Sequence, residues 1–324
     1  MPSLAPIADS LRASRGIAAK ADIASVARRL GLTGGGPSGR DAIMVGDDCA
    51  AIADGDGYLL LAIEGFINRF VAADPWFAGW CGVMVNVSDV AAMGGRPIAV
   101  VDAIWSAGEA EADPILAGLR AAASSFGVPL VGGHTNQRSN RPQLSVAILG
   151  RAKRLLTSFD AKPGQRLLAA IDLRGRYREP FPNWEAATDA PAQRLREDIE
   201  ILPAIAEAGL SPAAKDISQG GIIGTAMMLA ECSFVGMAID LAAIPRPDGV
   251  PLERWLQTFP SFGFLLAVAP GNVAAVLARF TARGIAAADI GGVTGDHAVR
   301  VGLGAETETI WDFSKSPLIG CGHA

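Results

Sequence analysis

Apolar residues in this chain fall into short runs separated by Gly, Pro and Asp, and the runs predict strands and helices in alternation. Residues 50–52 and 58–63 read as strands joined by the Asp54-Gly55-Asp56-Gly57 turn, an Asp-Gly hairpin signal. A helix is predicted over 75–93, with Asp74 as its N-cap, Pro75 at its first position and Gly94-Gly95-Arg96-Pro97 as its stop. Strands at 98–105, 129–132 and 143–150 flank a helix over 113–126, and a shorter helix over 21–30 precedes the loop Gly34-Gly35-Gly36-Pro37-Ser38-Gly39. After a polar break at 151–164 the mixture resumes: strand 166–171, helix 192–208, a strand into Asp216, helix 221–232, strands 235–241 and 262–269, helix 272–283 and a last strand at 298–303. The break divides the chain into 1–152 and 153–324, and the alternation marks an α/β or α+β fold.

Composition narrows the class. With 324 residues, half of them apolar, each part can bury a core of its own. A formal charge of −5 without blocks of like charge excludes a general attraction to nucleic acid or to an anionic membrane surface. Cys49, Cys81, Cys232 and Cys321 form no C-x-x-C pair, which excludes a zinc knuckle and a redox dithiol motif and fits reduced thiols in a cytoplasmic protein. Residues 1–20 alternate apolar positions with Asp9, Arg12, Arg15 and Lys20, unlike a signal peptide, and no later run of about 18 apolar residues could span a membrane.

The candidate chemistry lies in acidic residues set singly among glycines and apolar positions: Gly46-Asp47-Asp48, Asn86-Val87-Ser88-Asp89 and Lys215-Asp216-Ile217-Ser218-Gln219-Gly220-Gly221. Carboxylates in such places need a cationic partner, and neighbouring glycines admit close approach of a ligand, a combination that suits metal-phosphate chemistry. Asn86 and Asp89 share one face of a nearly all-apolar helix, where a carboxylate either coordinates Mg²⁺ or caps a neighbouring loop. Asp216 ends a strand, and Ser218 to Gly221 opens a helix whose free N–H groups can receive phosphate oxygens, although Ser218 alone could serve as an ordinary N-cap. Gly132-Gly133-His134-Thr135-Asn136 follows a short strand; His134 is a ligand contact or a hydrogen-bonded structural residue. Lys20 and Arg15 lie near Gly16 and could cover a triphosphate, or stand in solvent. The segment Arg174 to Trp184 is basic, aromatic and proline-broken, and reads either as a substrate-contacting loop or as an ordered surface excursion. No P-loop, dinucleotide G-x-G-x-x-G or G-x-S-x-G elbow is present.

Taken in order, Gly46-Asp47-Asp48-Cys49-Ala50-Ala51-Ile52, Asn86-Val87-Ser88-Asp89-Val90-Ala91-Ala92-Met93-Gly94-Gly95-Arg96-Pro97, Gly132-Gly133-His134-Thr135 and Asp216-Ile217-Ser218-Gln219-Gly220-Gly221 resemble the motifs of the aminoimidazole ribonucleotide (AIR) synthetase superfamily. That superfamily includes thiamine monophosphate kinase, selenophosphate synthetase and a hydrogenase maturation dehydratase. The resemblance covers essentially the whole chain and is most specific over the Asn86 to Pro97 run. It implies a two-domain α/β (α+β) fold: an N-terminal domain that forms a β-barrel across a homodimer, a C-terminal α/β domain, and ATP with Mg²⁺ in the cleft between them. It also implies metal ligation by Asp47 or Asp48, Asp89 and Asp216, with Glu64 at a position where the kinase and selenophosphate branches carry Asp. Asn86, Gly132, Gly133, Thr135, Ser218, Gly220 and Gly221 would then face the nucleotide, with Lys20 as a phosphate clamp and His134 as an acid/base or substrate contact.

Two departures bear on the branch. His134 stands where the kinases carry Asp, and Gly16-Ile17-Ala18-Ala19-Lys20 lacks the reactive Cys or selenocysteine of selenophosphate synthetases. The expectation is an Mg-ATP-dependent phosphotransferase or synthetase that activates a small-molecule substrate by phosphorylation. Its alternative is a catalytically inactive nucleotide-binding scaffold dimer in a modification system.

Overall fold

The hairpin, the capped helix and the alternation expected from the sequence all form in a computed structural model that describes residues 3–31 and 44–322. The predicted glycine-rich loop at 34–39 lies outside the described residues. The chain begins with α1 (Leu4–Arg12), α2 (Arg15–Arg29), β1 (Ala50–Asp54), β2 (Gly57–Gly65), α3 (Asn68–Ala73), α4 (Pro75–Ala92), β3 (Arg96–Trp105), α5 (Glu109–Phe126), β4 (Leu130–Asn136) and β5 (Gln143–Ala152). It continues with β6 (Arg166–Ile171), β7 (Arg176–Tyr177), β8 (Asn183–Glu185), α6 (Ala192–Ile199), α7 (Ile201–Glu207), β9 (Ala213–Asp216), α8 (Gly221–Cys232) and β10 (Gly236–Asp240). It ends with α9 (Leu252–Leu256), β11 (Phe259–Pro260), β12 (Gly263–Val268), α10 (Val273–Thr281), β13 (Ala286–Thr294), β14 (Ala298–Leu303) and β15 (Glu306–Asp312).

Several elements differ from the sequence expectation for local reasons. The helix predicted over 21–30 starts at Arg15, because the Ser14 hydroxyl accepts a hydrogen bond from the Ile17 N–H and fixes the N-terminus there. The helix predicted over 192–208 divides at Glu200: Pro203 has no N–H to offer the Ile199 carbonyl. The strand predicted at 129–132 runs on through Asn136, so Gly132, Gly133, His134 and Thr135 belong to an edge strand. α1, β13 and β15 were not expected; β13 carries a register shift between Asp289 and Gly291, and β15 alternates Glu and Thr.

The chain forms two compact units. Unit one holds the described residues of Met1–Asp48, Leu155–Ala186 and Ile205–Ala324, and unit two holds Cys49–Arg154 and Ala187–Ala204. The N-terminal segment belongs to unit one because Leu4, Ile7 and Leu11 of α1 enter its core, while Arg12 donates to the Thr309 carbonyl and the Glu308 carboxylate on β15. Residues 187–204 belong to unit two through Arg196, which donates to the Ser124 and Ser125 carbonyls at the end of α5, and through Glu200, which pairs with Arg96.

Unit two is built on a five-stranded sheet of order β1-β2-β5-β3-β4, antiparallel except for the β3–β4 pair. Leu60, Val100, Ile104, Leu144, Val146 and Ile148 are buried on the face covered by helices. α4 approaches that face through Gly82, where an added Cβ would lie 2.7 Å from the Val146 side chain. α4 and α5 also meet through glycines: a Cβ on Gly118 would lie 1.9 Å from the Trp76 carbonyl oxygen, and one on Gly79 2.1 Å from that of Ile115. Among the described residues the opposite face is open. Register aligns Ile52 with Leu59, Leu61 with Leu149, and Ile63 with Ala147, which pairs in turn with Val101; Ile63 is 70% exposed.

Unit one contains a seven-stranded sheet of order β15-β14-β10-β13-β6-β12-β9 and a small sheet of order β11-β8-β7. β9 and β12 are buried along their full length, and β6 is buried beyond Arg166, so these strands are covered on both faces. Leu167, Leu265, Ile222, Met227 and Phe280 are among the fully buried side chains of this unit.

Candidate functional site

In unit one the Gly46-Asp47-Asp48 turn is brought to the end of β9. Gly46 has φ +121°, and a Cβ there would lie 2.3 Å from Cβ of Cys321, so both backbone conformation and space require glycine. Asp47 is completely enclosed: its carboxylate accepts hydrogen bonds from the Ser158 N–H at 2.7 Å and the Ser158 hydroxyl at 2.6 Å, and another from the Asp48 N–H at 3.0 Å. Burial pushes the Asp47 carboxyl up to about 6 against the opposing pull of Lys215. Asp48 pairs with the Lys215 ammonium through one oxygen, while its other oxygen lies 3.3 Å from the Asp216 N–H. The Asp48 and Asp216 carboxylates have oxygens within 4.8 Å of each other.

Lys215 is the functional-site residue that sequence reasoning passed over. Its ammonium is buried, lies 4.0 Å from Asp47, and donates to Asp48 and to the Ser158 hydroxyl at 3.3 Å. Burial works to lower its pKa, but Asp48 and Asp47 outweigh burial and hold it above the ordinary lysine range. The available signal was a lone lysine in the otherwise apolar run Ala213-Ala214-Lys215. Ser158, far from either acidic motif in sequence, gave none.

α8 begins where the sequence placed it, but its cap is Gly220 and no side chain caps it. The Ser218 carbonyl accepts from the Gly221 N–H at 2.9 Å, and the Ser218 N–H meets the Thr225 hydroxyl at 3.4 Å. Gly221 has φ +66°, and a Cβ there would lie 2.2 Å from the Leu256 carbonyl oxygen. The first turn of α2 crosses this loop at Gly16, whose added Cβ would lie 2.0 Å from the Gln219 carbonyl oxygen. Lys20 therefore stands one helical turn from that crossing, half-buried. Behind the Gly46 turn, Glu231 accepts hydrogen bonds from the N–H groups of Leu318, Ile319 and Gly320 at 2.7–3.1 Å, which ties down the C-terminal segment carrying Cys321. Burial pushes the Cys232 and Cys321 thiols up, so both are held in the protonated form.

In unit two, Asn86 and Asp89 are buried on α4. The Asn86 amide donates to the Gly82 carbonyl at 2.8 Å and to the Val146 carbonyl at 3.0 Å, which fixes the side chain between helix and sheet. Its oxygen is buried without a hydrogen-bond partner in the protein, the state expected of an acceptor kept for something else. Glu64 lies near the end of β2 in register with Val146. His134 and Gly132 are exposed on β4, paired with Ala103 and Val101 of β3, and the His134 ring lies 5.8 Å from that of Trp105. Gly133 serves a different contact: a Cβ there would lie 2.6 Å from the Asp102 backbone and carboxylate oxygens. Thr135 follows, in register with Ile104.

The aromatic segment at 174–184 is packed within unit one. Trp184 is buried, donates to the Asp172 carbonyl at 3.1 Å, and meets Tyr177 and Trp255 edge-on. Tyr177 shares a 2.7 Å hydrogen bond with Thr258 and lies beneath the Arg254 guanidinium at 3.5 Å. These contacts hold Tyr177 and Trp184 in an ordered excursion.

Two mixed units with buried carboxylates at the ends of apolar elements place the molecule among two-domain α+β proteins with an oxygen-rich site. The chain belongs to the AIR synthase-related family: residues 46–152 match the AIR synthase related protein N-terminal domain and residues 181–304 the C-terminal domain. It is 50% identical over 314 residues to an uncharacterised protein of Synechocystis sp., covering 96% of each chain. It is 28% identical over 258 residues to the thiamine-monophosphate kinase of Pyrococcus horikoshii, covering 73% of this chain and 81% of that one. Among solved structures, T. maritima PurL complexed with ATP superposes with a TM-score of 0.74 at 20% identity, over 93% of this chain and 49% of PurL. The chain thus spans about half the length of PurL, and that likeness is one of fold. No described helix is long and apolar enough to cross a membrane.

Proposed function

We propose that this protein is an Mg-ATP-dependent phosphotransferase or synthetase that activates a small-molecule substrate by phosphorylation. The observation that carries the reading is the approach of the buried Asp48 and Asp216 carboxylates to within 4.8 Å, beside a helix N-terminus that no side chain caps. The donors are all hard oxygens, as magnesium requires, and the Asn86 oxygen is a further buried acceptor without a partner. Asp48 and Asp216 would hold the ion, and the family motif extends the assignment to Asp89, with Asn86 near the nucleotide. Bound magnesium neutralises β,γ-phosphate charge during phosphoryl transfer. N–H groups at the start of α8 would receive phosphate oxygens, helped by the helix dipole, and Lys20 would approach as a mobile clamp. Gly132 and Thr135 are assigned to the nucleotide by motif, as is Gly133 through its backbone, Glu64 to a second cation contact, and His134 to substrate. Asp47, fully engaged by Ser158, acts by fixing Asp48.

The family relationship also supports a homodimer, and the open apolar face of the unit two sheet is the surface it would use. Leu61, Ile63, Val101 and Leu149 present a row that a second copy could cover by a symmetric barrel-like packing. A reduced cytoplasmic setting agrees with Cys232 and Cys321, whose thiols burial holds in the protonated form.

The test is calorimetric titration with a non-hydrolysable ATP analogue, with and without Mg²⁺, on the wild type and Asp89→Asn. Magnesium-dependent binding that weakens at least tenfold in the variant supports the assignment; equal binding by the variant removes Asp89 from it. Binding without turnover across a panel of phosphate-acceptor metabolites would favour the inactive scaffold, and no binding at all would reject the nucleotide site.

A further inference from the structure

We propose that Glu231 is a positioning residue for the acidic site: through residues 318–322 it fixes the Gly46-Asp47-Asp48 turn, so that docking of this segment and occupation of Asp48 by a divalent ion are coupled. The inference rests on the metal reading above and adds what holds the ligand in place.

Glu231 lies in the last turn of α8, where a carboxylate opposes the helix dipole, and it is only 8% exposed. Its compensation comes from outside the helix. One oxygen accepts from the Leu318 N–H at 2.9 Å and the Gly320 N–H at 3.1 Å, and the other accepts from the Ile319 N–H at 2.7 Å. Successive N–H groups aimed at one carboxylate form a concave anion site, and by filling it Glu231 sets the course of the segment. Leu318 and Ile319 enter the unit one core, and Gly320, with φ +65°, turns the chain. A Cβ on Gly320 would lie 3.3 Å from that of Ala24, so the segment is seated against α2 as well.

Cys321 comes next and fills the space beside Gly46, with its sulfur 3.1 Å from where a Cβ on that glycine would lie. From the end of α8, the Cys232 thiol donates to the Gly46 carbonyl at 3.7 Å. The Ser233 hydroxyl donates to the Ser158 carbonyl at 2.7 Å, and Ser158 holds Asp47. Consecutive residues thus support one turn: Cys232 directly, Ser233 through Ser158, and Glu231 through the C-terminal segment. Only the last support is carried by a separate stretch of chain, whose release would uncover Gly46 and leave α8 intact. Asp48 stands two residues beyond Gly46 with one oxygen 3.3 Å from the Asp216 N–H, so freedom gained at Gly46 passes to the carboxylate that would hold the ion. By linkage, whatever the docked segment adds to ion affinity, the ion adds to docking.

The test measures both sides of that linkage in the full chain, with Mn²⁺ and no nucleotide. Ion affinity is read from the free-ion electron paramagnetic resonance signal, and docking from hydrogen exchange at residues 318–320 against that of β12 in the same unit. In the wild type, saturating Mn²⁺ is expected to slow exchange at 318–320 by about fivefold or more beyond any change in β12. Glu231→Gln, which exchanges one accepting oxygen for a donor, is expected to speed exchange there and to weaken Mn²⁺ binding by about fivefold or more. A merely structural Glu231 would lower the urea midpoint and leave ion affinity unmoved, so a folded variant that binds Mn²⁺ as the wild type does would overturn the proposal. Mn²⁺ binding by the wild type without protection of 318–320 would overturn it too, a result that needs no variant and leaves the metal reading standing. A wild type that binds no Mn²⁺ would remove the metal reading and this proposal with it.

Discussion

The two large sheets of this protein are made from similar apolar strands and meet opposite fates. In unit one, β12 reads Gly-Phe-Leu-Leu-Ala-Val and every residue is buried. In unit two, β2 reads Gly-Tyr-Leu-Leu-Leu-Ala-Ile-Glu-Gly; it buries Leu60 and Ala62 and leaves Leu61 and Ile63 exposed. A strand buried on both faces within one chain is complete, whereas a strand apolar on both faces and covered on one requires a second surface. The difference separates a sheet whose central strands are buried on both faces from one that, among the described residues, leaves an apolar row exposed.

Four substitutions test that contrast, with effects on the stability of the folded chain that run from largest to smallest. Leu265→Asp places a carboxylate in the doubly covered sheet and is expected to cost roughly 4 kcal/mol or more, read as loss of the cooperative urea transition. A midpoint near that of the wild type would mean the strand is not covered on both sides. Gly118→Ala forces α4 and α5 apart over the closed face of the unit two sheet; about 2 kcal/mol of destabilisation should appear by the same method, and no change would show that the helices adjust freely. Tyr177→Phe removes one hydrogen bond from the small sheet, for about 1 kcal/mol, and should leave ATP-analogue affinity as it was; altered affinity would return the 174–184 loop to a binding role. Ile63→Asp should change protomer stability least, by no more than about 0.5 kcal/mol, while light scattering reports a fall from two chains to one. A dimer that survives this change must use another face.

Much of the local structure was legible because its causes are local. Asp74 and Pro75 start α4, and the Asp74 carboxylate accepts from the Phe77 N–H at 3.2 Å as a cap should. The Asp-Gly turn joins β1 to β2, and α8 begins at Gly221, where the motif placed it. What escaped was set by distant partners. α1 forms against β15 at the far end of the chain, and the histidine motif lies in a strand because β3 offers its edge to β4. Gly133 lies so close to the Asp102 oxygens that a Cβ there would meet them at 2.6 Å, a contact its motif did not announce.

The sequence by itself determined the family, the acidic motifs and the alternation of elements, because spacing, caps and periodicity act over a few residues. Only the tertiary structure decided what compensates the acids. Asp47 depends on Ser158, 111 residues away, and Asp48 on Lys215, 167 residues away. A buried carboxylate announces that it needs a partner, but the choice between a metal ion, a serine and a lysine is made by whichever group the packed chain brings within hydrogen-bonding distance.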